Sequence, residues 1–263
     1  MIIKANGIRM NYELSGKKEA PAVVLSHSLG CGFNMWVPQI DVLEPHFRIL
    51  RYDTRGHGGT EAPAGPYHLD MLGDDAVALL DALGIEKVHW VGLSMGGMIG
   101  QSVALNHPDR LLSLALCDTT AAVPEEAQPL WQERIETARQ KGMEALVDGT
   151  MERWFTPSFL RLNLPMVARI RKMFLATPVE GYVGCTEAIR RIKYLDRLSQ
   201  VKVPTLIIVG EDDPGTPVAA AQAMHERIAG SRLVILRSAR HLSNVEQPEA
   251  FNAALLNFLK EVR

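Results

Sequence analysis

Apolar and polar positions alternate with a period of two over residues 2–5 and again over 8–14, and the two stretches are separated by Asn6-Gly7. An Asn-Gly pair between two strand-like runs predicts an antiparallel hairpin. Beyond it the pattern changes. Ala22-Val23-Val24-Leu25-Ser26 is a continuous apolar run, and Phe47 to Tyr52, Val88-His89-Trp90-Val91, Leu111 to Cys117 and Thr205-Leu206-Ile207-Ile208-Val209 are read as further strands. Such runs predict strands buried on both faces, and Arg232 to Leu236 is read as a further strand. Between these strands the period becomes helical. Leu69, Leu72, Ala76, Leu79, Leu80 and Leu83 share one face, with Gly84 as the stop, and further helices are expected near 37–44, after Ser94, at 217–229 and at 248–262. Strands alternating with helices imply a mainly parallel sheet covered on both faces.

From Glu125 to about Arg197 the strand signal disappears. Helix-length segments there are divided by Gly142, Gly149, Pro157, Pro165 and Pro178. A core domain of residues 1–123 and 198–263 is therefore expected, with residues 124–197 inserted after the sixth strand as a helical lid.

Composition narrows the class of function. Hydrophobic residues make up 47% of 263 and charged residues 22%, which suits a globular core. There is no apolar run of membrane-spanning length and no leader-like N-terminus, so a cytoplasmic protein is expected, with no membrane association. A formal charge of −2 without a basic run argues against a nucleic-acid partner and for a small molecule. Cys31, Cys117 and Cys185 are too few and too scattered for a disulfide framework or a zinc site and are read as buried thiols. No metal or cofactor is expected, since neither ligand spacing nor a nucleotide fingerprint is present.

Chemistry concentrates where the Val88–Val91 run breaks into Gly92-Leu93-Ser94-Met95-Gly96-Gly97. The pattern G-x-S-x-G requires a sharp strand-to-helix turn with small neighbours and presents the serine at a helix start. A serine hydroxyl needs a base, usually a histidine oriented by a carboxylate. His46, His68, His89, His107 and His225 lie in or at the ends of expected elements, whereas His27, His57 and His241 follow strands. For this kind of turn the chain order is serine, acid, histidine, which selects His241. The acid should follow a strand between Ser94 and His241. Asp213, before the turn Pro214-Gly215-Thr216-Pro217, is the choice, with Asp212 beside it and Asp118 as alternatives. Oxyanion donors are expected from the main-chain N–H groups of Met95, after the serine, and of Leu29, in the loop after the Ala22–Ser26 strand.

These stretches together resemble the α/β-hydrolases along the full chain. Within that superfamily the motifs Leu25-Ser26-His27-Ser28-Leu29-Gly30, Met35-Trp36-Val37-Pro38-Gln39, Arg51-Tyr52-Asp53-Thr54-Arg55-Gly56-His57-Gly58, the stretch from Gly92 to Gln101 and His241-Leu242-Ser243-Asn244 most resemble 3-oxoadipate enol-lactone hydrolases and related carboxylesterases. The resemblance implies an α/β-hydrolase fold with a mainly parallel eight-stranded sheet, catalytic Ser94, Asp213 and His241, and hydrolysis of a lactone or small carboxylic ester through an acyl-enzyme. A short-chain esterase with perhydrolase side activity, or a non-catalytic receptor on the same fold, are the alternatives. Two positions depart from the pattern: Ser28 stands where many relatives have glycine, and Arg240 stands where a glycine commonly precedes the histidine. For the substrate pocket, Trp36, Trp131 and Trp154 are the candidates. A lactone derived from a dicarboxylic acid would call for a cation, and the lid offers Arg134, Arg153, Arg161, Arg169, Arg171, Arg190 and Arg191 without a means of choosing.

Overall fold

The computed structural model describes residues 1–262. Eight strands form one sheet: β1 (Ile2–Ala5), β2 (Ile8–Gly16), β3 (Ala22–Ser26), β4 (Arg48–Tyr52), β5 (Val88–Leu93), β6 (Leu111–Cys117), β7 (Thr205–Gly210) and β8 (Arg232–Leu236), in the order β1-β2-β4-β3-β5-β6-β7-β8. The first two pairings, β1 with β2 and β2 with β4, are antiparallel, and all the others are parallel. The hairpin turn falls at Asn6 (φ 45°) and Gly7 (φ 80°), the positive-φ pair that matches strand twist. Burial follows the sequence pattern. Every residue of β3, β5 and β7 is buried, whereas β2 alternates along much of its length and the edge strand β8 is half-buried to exposed except at Leu236.

Helices α1 (Val37–Leu43), α2 (Leu69–Ala82) and α3 (Met95–Asn106) connect the first strands. Between β6 and β7 the described elements are helical: α4 (Gln128–Lys141), α5 (Glu144–Trp154), α6 (Pro157–Arg161), α7 (Pro165–Ala176) and α8 (Val179–Ile189), with short 3₁₀ turns at either end. The chain then closes through α9 (Val218–Arg227), the single turn α10 (Ser243–Glu246) and α11 (Pro248–Glu261). Cys31, Cys117 and Cys185 are free and buried. No helix among the described residues is long and apolar enough to cross a membrane.

This topology brings the ends of β3, β5, β6, β7 and β8 to one edge of the sheet. Ligands gather at such carboxyl-terminal edges because the connecting loops there are free to vary while the strands beneath stay fixed. The loops carrying Leu29, Ser94, Asp118, Asp213 and His241 all leave the sheet on this side.

Candidate active site

Ser94 occupies the residue between β5 and α3 with φ 55° and ψ −116°, a conformation sparsely populated by L-residues. The surroundings hold it there. Its N–H extends the β5–β6 ladder to Cys117 O at 2.8 Å, and its carbonyl accepts from Thr119 Oγ1 at 2.7 Å and from the N–H groups of Gly97 and Met98. The helix can turn this sharply only because its first face has no side chains. A Cβ on Gly92 would lie 2.1 Å from Gly96 O, and one on Gly96 would lie 2.0 Å from Ser26 O. Both clashes are with main chain, which cannot rotate away. Gly96→Ala is therefore expected to lower stability by about 3 kcal/mol or more, at the upper end of overpacking costs, read as a fall in the urea midpoint.

Asp213 is buried and fixed by its own turn. Oδ1 accepts from Gly215 N at 2.8 Å and Thr216 N at 3.1 Å, and Oδ2 accepts from Thr216 Oγ1 at 2.6 Å. The same Oδ2 lies 2.8 Å from His241 Nδ1. That contact fixes the tautomer, with Nδ1–H donating, so Nε2 is the ring nitrogen left for the cavity. Burial alone would pull the His241 imidazole down, but the charge and hydrogen bond of Asp213 outweigh it and hold it above its ordinary value. The converse holds for Asp213: burial raises its carboxyl, and His241 together with the Thr216 hydrogen bonds brings it below the usual range. Asp212 is exposed and contributes no side-chain contact to this pair.

Asp118, the other candidate acid, is placed differently. It lies fully buried behind the pair with Oδ1 accepting from Gly210 N at 2.8 Å and Oδ2 2.5 Å from Ser243 Oγ. Burial, and then the neighbouring Asp213 charge, push its carboxyl up to about 8. It thus ties the end of β7 to the residues after His241, with its carboxyl biased toward the neutral form, and makes no contact with the imidazole among its hydrogen bonds.

Histidines 27 and 57 have structural roles. His27 Nε2 accepts from Thr54 N and His57 Nε2 accepts from Gly30 N, both at 2.9 Å, so the two rings pin the loop after β3 to the loop after β4. Burial, followed by the charge of the neighbouring His27, pushes His57 down to about 3, which keeps its acceptor nitrogen unprotonated. The pinning also selects a donor. Ser28 N bonds Met35 Sδ, Gly30 N bonds His57, and Cys31 N bonds Ser28 O, while Leu29 N has no protein partner among the described residues. Met95 N belongs to the first residue of α3 and has no helical turn behind it to bond.

A cavity of about 430 Å³ joins these parts, with Leu29, Ser94, Asp213 and His241 on its walls. Trp131 and Trp154 line it as well, and the Trp154 ring stacks on His241 with centroids 6.4 Å apart. Trp36 does not belong to it. The Phe33–Trp36 turn sends the indole into the core, where it is fully buried against Phe251 of α11, so Trp36, expected in the pocket, is a core residue instead. Arg240 binds away from the site: its guanidinium bonds Glu152 O, and its N–H donates to Glu246 Oε2 at 2.8 Å. Glu246 also accepts from Thr156 N, and Leu242 N donates to Trp154 O, so the histidine loop is laced to the α5–α6 junction. No cluster of three or more His, Cys, Asp and Glu side chains that could hold a metal ion occurs among the described residues.

Residues 21–248 match the family model of the α/β hydrolase fold. The chain belongs to that family. At 38% identity it is similar to 3-oxoadipate enol-lactonase 2 of Acinetobacter baylyi, over 98% of this chain and 96% of that one. Among solved structures in the family, the enol-lactonase from Burkholderia xenovorans superposes with a TM-score of 0.96 at 40% identity, covering 99% of this chain and all (100%) of that one. A thermophilic esterase from Thermogutta terrifontis, solved with malate bound, has a TM-score of 0.94 at 30% identity, with 100% and 99% of the two chains covered.

Proposed function

We propose that this α/β hydrolase opens a lactone or cleaves a small carboxylic ester through an acyl-enzyme, with a 3-oxoadipate-type enol-lactone as the leading substrate. The observation that carries the reading is a strained serine sharing one cavity with a buried Asp213–His241 pair. Ser94 Oγ attacks the carbonyl carbon while His241 Nε2 takes its proton, and Asp213 stabilises the imidazolium. The negative oxygen of the tetrahedral intermediate is held by the N–H groups of Leu29 and Met95. His241 then returns the proton to the departing oxygen, which in a lactone stays tethered to the acyl chain. Water, deprotonated by His241, releases the acid and regenerates Ser94. The helical segment 124–197 serves as the cap that shapes the acyl pocket, consistent with Trp131 and Trp154 on the cavity wall.

A kcat/KM panel of an enol-lactone, simple lactones, and short and long p-nitrophenyl esters tests this reading. Preference for the enol-lactone supports it; a broad preference for short esters assigns a general esterase instead. The pH profile gives a second check. His241 acts as base only when neutral, and its pKa is raised, so the acidic limb of kcat/KM is expected above the ordinary imidazole value of about 6.5. An acidic limb below that value would mean that burial outweighs the Asp213 charge at His241.

A further inference from the structure

A buried carboxylate that takes no part in the reaction lies close to the base in sequence: Glu246, at the end of α10. A carboxylate removed from water is kept there by donors that replace its hydration. The donors of Glu246 come from two distant parts of the chain. Its Oε2 accepts from Arg240 N at 2.8 Å, while Oε1 accepts from Thr156 N at 2.9 Å and from the Thr156 hydroxyl. Arg240 immediately precedes the catalytic histidine, whereas Thr156 stands at the α5–α6 junction, 90 positions before Glu246 in the chain.

Two further bonds close the figure. Leu242 N donates to Trp154 O at 3.2 Å, and the Arg240 guanidinium donates to Glu152 O. The main-chain N–H groups on either side of His241 are thus given to one short stretch of the helical segment, that of residue 240 through Glu246 and that of residue 242 directly. Between these ties the Trp154 ring lies against the imidazole, with 26° between the planes. Asp213 holds His241 at Nδ1 alone. A single hydrogen bond leaves a ring able to tilt about it, and a flat ring laid on its face removes that freedom.

We propose that Glu246 is a positioning residue of the catalytic base: it clamps residues 240 and 156 together, so that Trp154 stays on His241 and Nε2 keeps its aim at Ser94. This rests on the hydrolase reading above. The clamp takes the main-chain N–H of residue 240 and not its side chain, so the arginine that stands where glycine is common adds the Glu152 contact without being required for it.

The test joins kinetics on p-nitrophenyl acetate to the emission of Trp154, since an imidazolium beside an indole quenches its fluorescence. In the native protein emission should rise as His241 loses its proton, and this change should be absent from Trp154→Phe and from His241→Asn. Asp213, Asp118 and Arg134 are the charged groups that bear on His241, and all three are kept in the Glu246 variants. In Glu246→Ala the emission change should fall to about half or less. Its kcat should drop about 10- to 100-fold with KM within about threefold of native, as expected when a reacting group is misplaced by up to about 1 Å.

Glu246→Gln keeps one carbonyl oxygen, which can serve Thr156 or Arg240 but not both, and should fall between native and alanine in both readouts; it carries the test if the alanine variant does not fold. Arg240→Gly, which retains the N–H, should lose less than Glu246→Ala. Loss of kcat without loss of the emission change, the reverse, or a lower urea midpoint with neither, overturns the clamp, as does a native protein whose emission does not respond to His241. A native protein inactive on the ester, whose emission change is still lost in Glu246→Ala, overturns the hydrolase reading alone.

Discussion

Ester and lactone turnover is expected to vanish in Ser94→Ala, with kcat falling on the order of 10⁶-fold, the size of loss that follows removal of the nucleophile from a serine hydrolase. The fold should be untouched. Ser94 is held through its main chain, by Cys117 O, Thr119 Oγ1 and the first turn of α3, and none of those bonds involves the hydroxyl. The backbone itself supplies a sharper version of the test. At φ 55° and ψ −116° a side chain at this position is strained by about 1–3 kcal/mol, and glycine would relieve that at an entropic cost of about 0.5–1 kcal/mol. Ser94→Gly should therefore match or exceed the native protein in urea midpoint while being as inactive as the alanine variant. Such a gain would mean that the turn is kept under strain for chemistry. Retention of most activity in either variant removes Ser94 from the mechanism.

The sheet was open to sequence reasoning because burial on both faces leaves a local signature: β3, β5 and β7 are uninterrupted apolar runs, and β5 ends at the glycines that its turn requires. Side-chain direction across elements has no such signature. Trp36 is close in sequence to the loop after β3, yet a single 3₁₀ turn rotates it onto Phe251, which lies more than two hundred positions later in the chain. The arginines of the helical segment show the same limit. Helical period assigns Arg134 and Arg153 to faces of α4 and α5, but that both line the cavity depends on what the sheet presents opposite. The roles of His27 and His57 were also hidden, because each ring serves a main-chain N–H in a different loop. A histidine in the loop after β4, beside a glycine-bearing loop after β3, is the signal that could have suggested this pinning.

Of the candidate acids, Asp213 and Asp118 are both buried, and their two environments separate them. Asp213 and Asp118 are both buried near His241, and two carboxylates in one low-dielectric region are driven to different protonation states. Asp213 is surrounded by donors and by the imidazole, which favours its anion. Asp118, with one N–H and one hydroxyl, is pushed up to about 8 by burial and by Asp213. Only the ionised member of the pair can both fix the His241 tautomer and stabilise the imidazolium. Asp213→Asn is accordingly expected to cut kcat by about 10⁴-fold, since an amide can donate to Nδ1 and hold the wrong tautomer. Asp118→Asn replaces a carboxyl that burial and Asp213 bias toward its neutral form with a group of the same shape, still able to accept from Gly210 N–H. Its kcat/KM should stay within about tenfold of native, as befits a group that acts through hydrogen bonding alone. Asp118→Ala should instead lose about 1–3 kcal/mol of stability by leaving the buried Gly210 N–H unbonded. Measured together at pH 7, the two asparagine variants decide the assignment: comparable losses would mean that both carboxylates share the work, and a larger loss at Asp118 would transfer the orienting role from the end of β7 to the end of β6.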